Sequence, residues 1–312
     1  MASAALPPIH RPARPAPFDG WLPLALTAAL FALLFARPAA LLARDWWNNP
    51  EAGHGLLLAP LAVWLAWRAG IRPEARPNVV AGAALLAAAV LVRYLSGLAA
   101  EIFTMRMSLI LAAAALVVYA FGFRQLRAWW LSLALLVLSV PLPEVVLSAV
   151  ALPLQFMASR MGAALLEARH VPVLLAGNVI RLPNGHDLFV AEACSGLRSL
   201  TALLSLAVLL GGMALRHPAS RLVLLAIAVP VAILVNGVRV FLTGFLVYFV
   251  SPSLGEGFMH TTEGWSLFLV AFAILGALAW LLAFVERRVG GRGRRGAAAD
   301  AAPLVATVDD HD

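Results

Sequence analysis

Long apolar runs broken by short polar, arginine-bearing segments set the pattern of this chain. Eight runs, 21–36, 56–67, 79–98, 107–123, 129–140, 194–215, 222–250 and 265–285, are read as membrane-spanning helices. The longer ones approach or exceed the roughly 20 residues that cross a bilayer. The fifth run leaves the membrane near Pro141-Leu142-Pro143-Glu144. The moderately amphipathic stretch 145–166, interrupted by Gln155, Ser159 and Arg160, is predicted to be interfacial or re-entrant. Residues 167–192 form the most polar internal region. There Pro183-Asn184-Gly185, between Val179-Ile180 and Leu188-Phe189-Val190, predicts a tight β-hairpin. The expected architecture is an all-α polytopic membrane protein of about eight helices with an extracytoplasmic cap containing that hairpin.

Charge orients the spans. Arg68, Arg72, Arg76, Arg124, Arg127, Arg216, Arg221 and the run from Glu286 to Arg295 mark cytoplasmic ends, which puts both termini inside. The segments 44–55 and 251–264 fall outside. Residues 1–20 read as a proline-rich cytoplasmic arm, 21–288 as the multi-pass domain and 289–312 as a disordered cytoplasmic tail. A hydrophobic content of 62% against 12% charged residues excludes a soluble globular protein. The net charge of +7 does not point to nucleic acid, because all 23 basic residues are arginines that mostly punctuate run ends. A single cysteine excludes an internal disulfide and a cysteine zinc site.

That cysteine carries the candidate chemistry. Cys194 opens an apolar run, with Arg198 one helical turn on, and both a helix N-terminus and a nearby cation favour a thiolate. On this stretch alone, a lone cysteine in an apolar protein reads first as a small buried hydrophobe. Arg239 lies 18 residues beyond Arg221, some 27 Å along a helix, and so near the outer membrane edge. His260 sits in the following outside loop. The topology therefore collects Cys194, Arg239 and His260 at one face. These are the residue types that acyl transfer through a thioester needs: a nucleophile, a cation for the oxyanion and a proton shuttle. Arg239 with Asn236 also fits a snorkelling pair or a transporter charge, and Arg198 a lipid-phosphate contact. His54, His170, His186 and Glu192 share the outer face, but no zinc-hydrolase spacing exists among them.

Five segments carry a family resemblance: WWNNPEAGHGLLLAPLAVWLAW, VPLPEVVLSAVALPLQFMAS, AEACSGLRSL, VNGVRV and HTTEGWSLF. In this order and spacing they resemble the bacterial exosortases, relatives of the archaeosortases. The first segment departs from the family's usual Tyr-Ser-His-Gly, with Ala52-Gly53 before His54. The resemblance implies a cysteine transpeptidase or protease of the bacterial inner membrane, working on the extracytoplasmic face without metal or organic cofactor. Cys194 would be the nucleophile, Arg239 the essential arginine and His260 the third catalytic residue, with Arg198, Asn236, Glu192 and His54 in support. Its substrates would be exported proteins bearing a C-terminal Pro-Glu-Pro-type signal, a membrane helix and a basic cluster. Membrane lipids and exopolysaccharide machinery would be its other partners, and nucleic acid would not. The rival expectations are a transporter or flippase of lipid-linked saccharides, in which the arginines bind phosphate and the thiol is incidental, and a scaffold in a polysaccharide-export complex.

Overall fold

The computed structural model describes residues 21–49, 52–190, 196–251 and 257–300, of which 21–24, 144, 196–199, 257–265 and 289–300 contribute backbone only. Nine helices and three short strands follow one another along these residues: α1 Trp21–Asn48, α2 Gly55–Ala69, α3 Val79–Leu98, α4 Ile102–Ala128, α5 Trp130–Leu138, α6 Glu144–Ala168, β1 Leu174–Ala176, β2 Val179–Arg181, β3 Asp187–Phe189, α7 Gly196–Ala214, α8 Pro218–Phe249 and α9 Gly257–Asp300. Six helices are long and apolar enough to cross a membrane, and α2 and the 200–214 part of α7 are shorter apolar helices. The chain is thus a multi-span, mostly helical membrane protein.

Three elements differ from the expectations. First, α1 runs on to Asn48, so Arg44-Asp45-Trp46-Trp47 is helical rather than loop. This last turn is tied down at two points, by an ion pair between Asp45 and Arg106 and by Trp46 Nε1 donating to the Ser139 carbonyl at 2.7 Å. Second, α5 is a helix of only nine residues, and α6, expected as an interfacial or re-entrant segment, is a helix long and apolar enough to cross a membrane. Gly237 meets Met161, Gly162 meets Val240 and Gly244 meets Leu166, so residue numbers rise together and α6 lies parallel beside the long apolar α8. A Cβ at Gly162 would come within 2.4 Å of Val240 Cγ1, the close approach that small residues permit between apolar helices. Periodicity reports a polar stripe but not what covers it. Here Gln155 accepts from Asn178 Nδ2 at 3.1 Å and Ser159 bonds back to the Gln155 carbonyl, so both are answered within the protein. Third, α9 continues as helix to Asp300, into the stretch that composition assigns to disorder.

The bundle has two recognisable ends. At one, the α2–α3 connection, the kink in α4 and the α7–α8 turn meet. Trp129 Nε1 donates to the Gly70 carbonyl at 3.1 Å, the Arg221 guanidinium lies 4.7 Å over the Trp130 ring, and Arg216 N and His217 N donate to Glu286 at 2.9 and 3.1 Å. At the other end β1, β2 and β3 form an antiparallel sheet, with Val179 to Arg181 paired to Phe189 to Asp187 around the Pro183-Asn184-Gly185 turn. Gly185 has φ +83°, which glycine adopts without strain. The buried face of this sheet, Ile180 and Leu188, packs with Leu166, Val240 and Val247 from the last turns of α6 and α8.

Candidate functional site

The site is built on the three-helix group α7, α8 and α9. One apolar cluster joins them: Leu200, Leu203 and Ala207 from α7, Val231 and Ala232 from α8, and Ala271, Leu275 and Ala279 from α9. Near the short α7–α8 turn, Gly211 faces Arg221 and Leu224. The two helices are antiparallel, so moving fifteen residues along each from that contact brings Gly196 level with the stretch from Asn236 to Arg239. The Asn-x-x-Arg segment therefore lies level with the first turn of α7. Arg198 is in that first turn. Cys194 and Glu192 lie outside the described residues, Cys194 two residues before Gly196. Because Glu286 of α9 binds the α7–α8 turn, α9 runs antiparallel to α8, and its first turn, which carries His260 on helix rather than on the expected loop, belongs to the same end as Arg239.

The side chains described at this level are unusual for an apolar bundle. Asn236 is 5% exposed, and neither its Oδ1 nor its Nδ2 has a hydrogen-bond partner among the described residues. A buried amide left unanswered costs on the order of 1–3 kcal/mol, so a position without a task would favour Leu or Ala. Arg239 is partly buried, its Nε is shielded from solvent, and its carbonyl accepts from Thr243 Oγ1 at 3.0 Å.

His54 lies elsewhere, at the N-terminus of α2. Its Nε2 bonds to the Leu138 carbonyl at 3.1 Å, at the C-terminus of α5. A carbonyl can only accept, so Nε2 carries a hydrogen, while Nδ1 is buried and without a partner among the described residues. His54 lines a cavity of about 160 Å³ with Asn49, Pro141, Leu142, Thr201 and Leu204. Thr201 is on α7, five residues past Gly196, so the cavity adjoins the first turns of that helix. Sequence reasoning missed this cavity. The one available signal was the Pro141-Leu142-Pro143 break, which opens the space between α5 and α6.

The model of the family described as transmembrane exosortase (Exosortase_EpsH) matches residues 46–277. No curated protein and no solved structure matches the chain. With most of its length covered, from the Trp46 anchor to the last helix, the chain belongs to the transmembrane exosortases, a family of membrane cysteine peptidases and transpeptidases of protein sorting.

Proposed function

We propose that this protein cleaves the C-terminal sorting signal of exported proteins through a thioester on Cys194, with Arg239 and His260 completing the site. The observation that supports the proposal is that the Asn236–Arg239 stretch lies level with the helix start that follows Cys194 in the chain, with a buried amide that has no partner among the described residues at the same level. The Cys194 thiolate adds to the scissile carbonyl carbon, and the developing oxyanion is held by the Arg239 guanidinium. The C–N bond breaks as His260, in its imidazolium form, gives its proton to the leaving amine. An amine acceptor then adds to the thioester, its proton passes to His260, and the C–S bond breaks to restore the thiolate. Water in place of the amine would make the same site a protease.

Arg198 and Glu192 flank the nucleophile, and Asn236 is suited to orient Arg239 or a substrate amide. The Nδ1 of His54 offers a polar atom in the adjoining cavity. The scissile bond of a substrate with a Pro-Glu-Pro-type motif ahead of its membrane helix would lie at the depth of these groups. The arginine-rich end faces the cytoplasm in this reading, and the sheet and the site face outward from the bacterial inner membrane. Eight crossings with both termini inside follow if α5 and α6 together make one broken span. Partners would be the exported substrates and, where sorting is coupled to surface polymer, the exopolysaccharide machinery.

The test is to express a tagged substrate bearing such a signal with wild-type enzyme or with Cys194→Ala, following substrate size and any covalent enzyme adduct. The expected result is a size shift and a hydroxylamine-sensitive adduct with the wild type alone. Equal processing by both would make the thiol incidental. If lipid-linked saccharide transport then survived Cys194→Ala but not Arg239→Ala, the transporter reading would replace this one.

A further inference from the structure

At the arginine-rich end, residues about fifty positions apart in sequence surround one hollow. Arg72 and Glu74 from the α2–α3 connection, with Phe123, Arg124 and Arg127 from the last turns of α4, line a cavity of about 430 Å³. A second hollow of about 330 Å³ continues from it past Glu74, Phe123 and Arg124 to Arg76. Four arginines thus face one carboxylate. Phe123 and Arg127 also form the rim of an apolar groove of about 610 Å³ that climbs α5 along Trp130, Leu133 and Val137 towards Val208 of α7. A charged hollow and a hydrocarbon groove are continuous through two shared residues.

The backbone that carries these arginines is held in place, which a charge that serves only to orient a helix does not require. Gln125, wholly buried, accepts from Arg72 N at 2.9 Å and donates through Nε2 to the Gly70 carbonyl at 2.9 Å, where Trp129 Nε1 also ends. Asn78 N donates to the Val118 carbonyl at 3.1 Å. Gly122 has φ +77°, and a Cβ there would sit 2.1 Å from the Arg76 carbonyl oxygen, so only glycine lets the loop approach α4. Four polar bonds and one glycine therefore fix the loop that carries Arg72 and Arg76 over the turn that carries Arg124 and Arg127.

We propose that this hollow and groove bind one anionic glycerophospholipid. Its phosphodiester lies among Arg72, Arg124 and Arg127, where guanidinium forks match phosphate oxygens. One acyl chain lies in the groove along α5. Glu74 faces the headgroup as an acceptor for glycerol hydroxyls, and it repels a second anionic group from the same hollow. Basic hollows between membrane helices at a membrane surface suit lipid headgroups of this class. The groove decides for a lipid over a free phosphate ester, which would leave it empty.

The full-length protein, purified in detergent, tests this by native mass spectrometry and thermal unfolding with added dioleoyl phosphatidylglycerol, phosphatidylethanolamine, phosphatidylcholine or sn-glycerol 1-phosphate. Phosphatidylglycerol is expected to give a single retained adduct and a rise in Tm, with at least ten-fold weaker retention of phosphatidylcholine and none of glycerol phosphate. The triple variant R72A/R124A/R127A should lose the adduct, whereas R287A/R288A, which removes basic residues on α9, should keep it. Equal retention by both variants would show diffuse charge attraction and overturn the site, as would equal stabilisation by glycerol phosphate or by phosphatidylcholine. If the triple variant does not fold, R124K/R127K keeps the charge but loses the forks, and at least three-fold weaker retention is expected; unchanged retention would overturn the proposal.

Discussion

The two ends of the helix bundle treat buried polar groups in opposite ways. At the arginine-rich end, Gln125 is wholly buried and both halves of its amide are answered by loop backbone. Toward the opposite end, Asn236 is equally enclosed and neither half is answered among the described residues, while His54 bonds through one nitrogen and leaves the other bare. The same chemical group serves as a clamp in one place and as an open offer in the other. If the proposed site is correct, satisfaction of a buried amide separates residues that hold the fold from residues kept for a ligand, at an expense of on the order of 1–3 kcal/mol for each orphan.

Substitutions sharpen this contrast. The largest expected effect is at the nucleophile: Cys194→Ala should lower substrate processing by on the order of 10³-fold or more, with normal membrane insertion, as read by substrate size on gels. Arg239→Ala should cost about 10²–10³-fold in rate in the same assay. Asn236→Leu is the decisive case, since it removes an orphan: processing should fall by on the order of 10²-fold while Tm stays level or rises. A fall in Tm with full activity would make Asn236 structural and erase the contrast.

Gln125→Leu should do the reverse. It strands Arg72 N and one bond to the Gly70 carbonyl, lowering stability by about 2–3 kcal/mol in thermal unfolding, with the rate per folded molecule unchanged. The smallest effect is at Glu101, which caps α4 by accepting from Phe103 N and Thr104 N at 3.0 and 2.6 Å. Hydrogen bonds from the Thr104 side chain, then from its backbone, lower the Glu101 pKa, so its contribution is complete above pH 4.5 and fades as pH falls through the lowered value. Glu101→Gln should flatten that part of the Tm profile against pH, slightly because the group is exposed.

Much of this was legible in the chain. The apolar runs mark the helices, although α1 exceeds its run because Trp46 and Asp45 find partners at Ser139 and Arg106, ninety-three positions away in the first case. The Asn-x-x-Arg segment and Gly196 can be placed at one end by counting along antiparallel helices. The parallel packing of α6 on α8 was not legible, since Gly162, Gly237 and Gly244 give no periodic signal of which neighbour fills the space above them. The Gln125 clamp was equally hidden, because a glutamine before the loop-end arginine Arg127 reads as surface until Gly70 and Arg72 close over it.

The shortness of α5 also bears on how the protein is made. Its nine residues rise only about 13 Å, less than half the hydrocarbon thickness, too little for it to partition into lipid alone. Its carbonyl terminus is closed by His54 and the next residue's by Trp46, and its face packs on Leu58 and Ala62 of α2. These donors and this face lie some eighty to ninety residues earlier in the chain, so they are synthesised before α5. In the finished fold the end of α1 and the start of α2 thus form the frame that holds a segment too short to cross the hydrocarbon by itself.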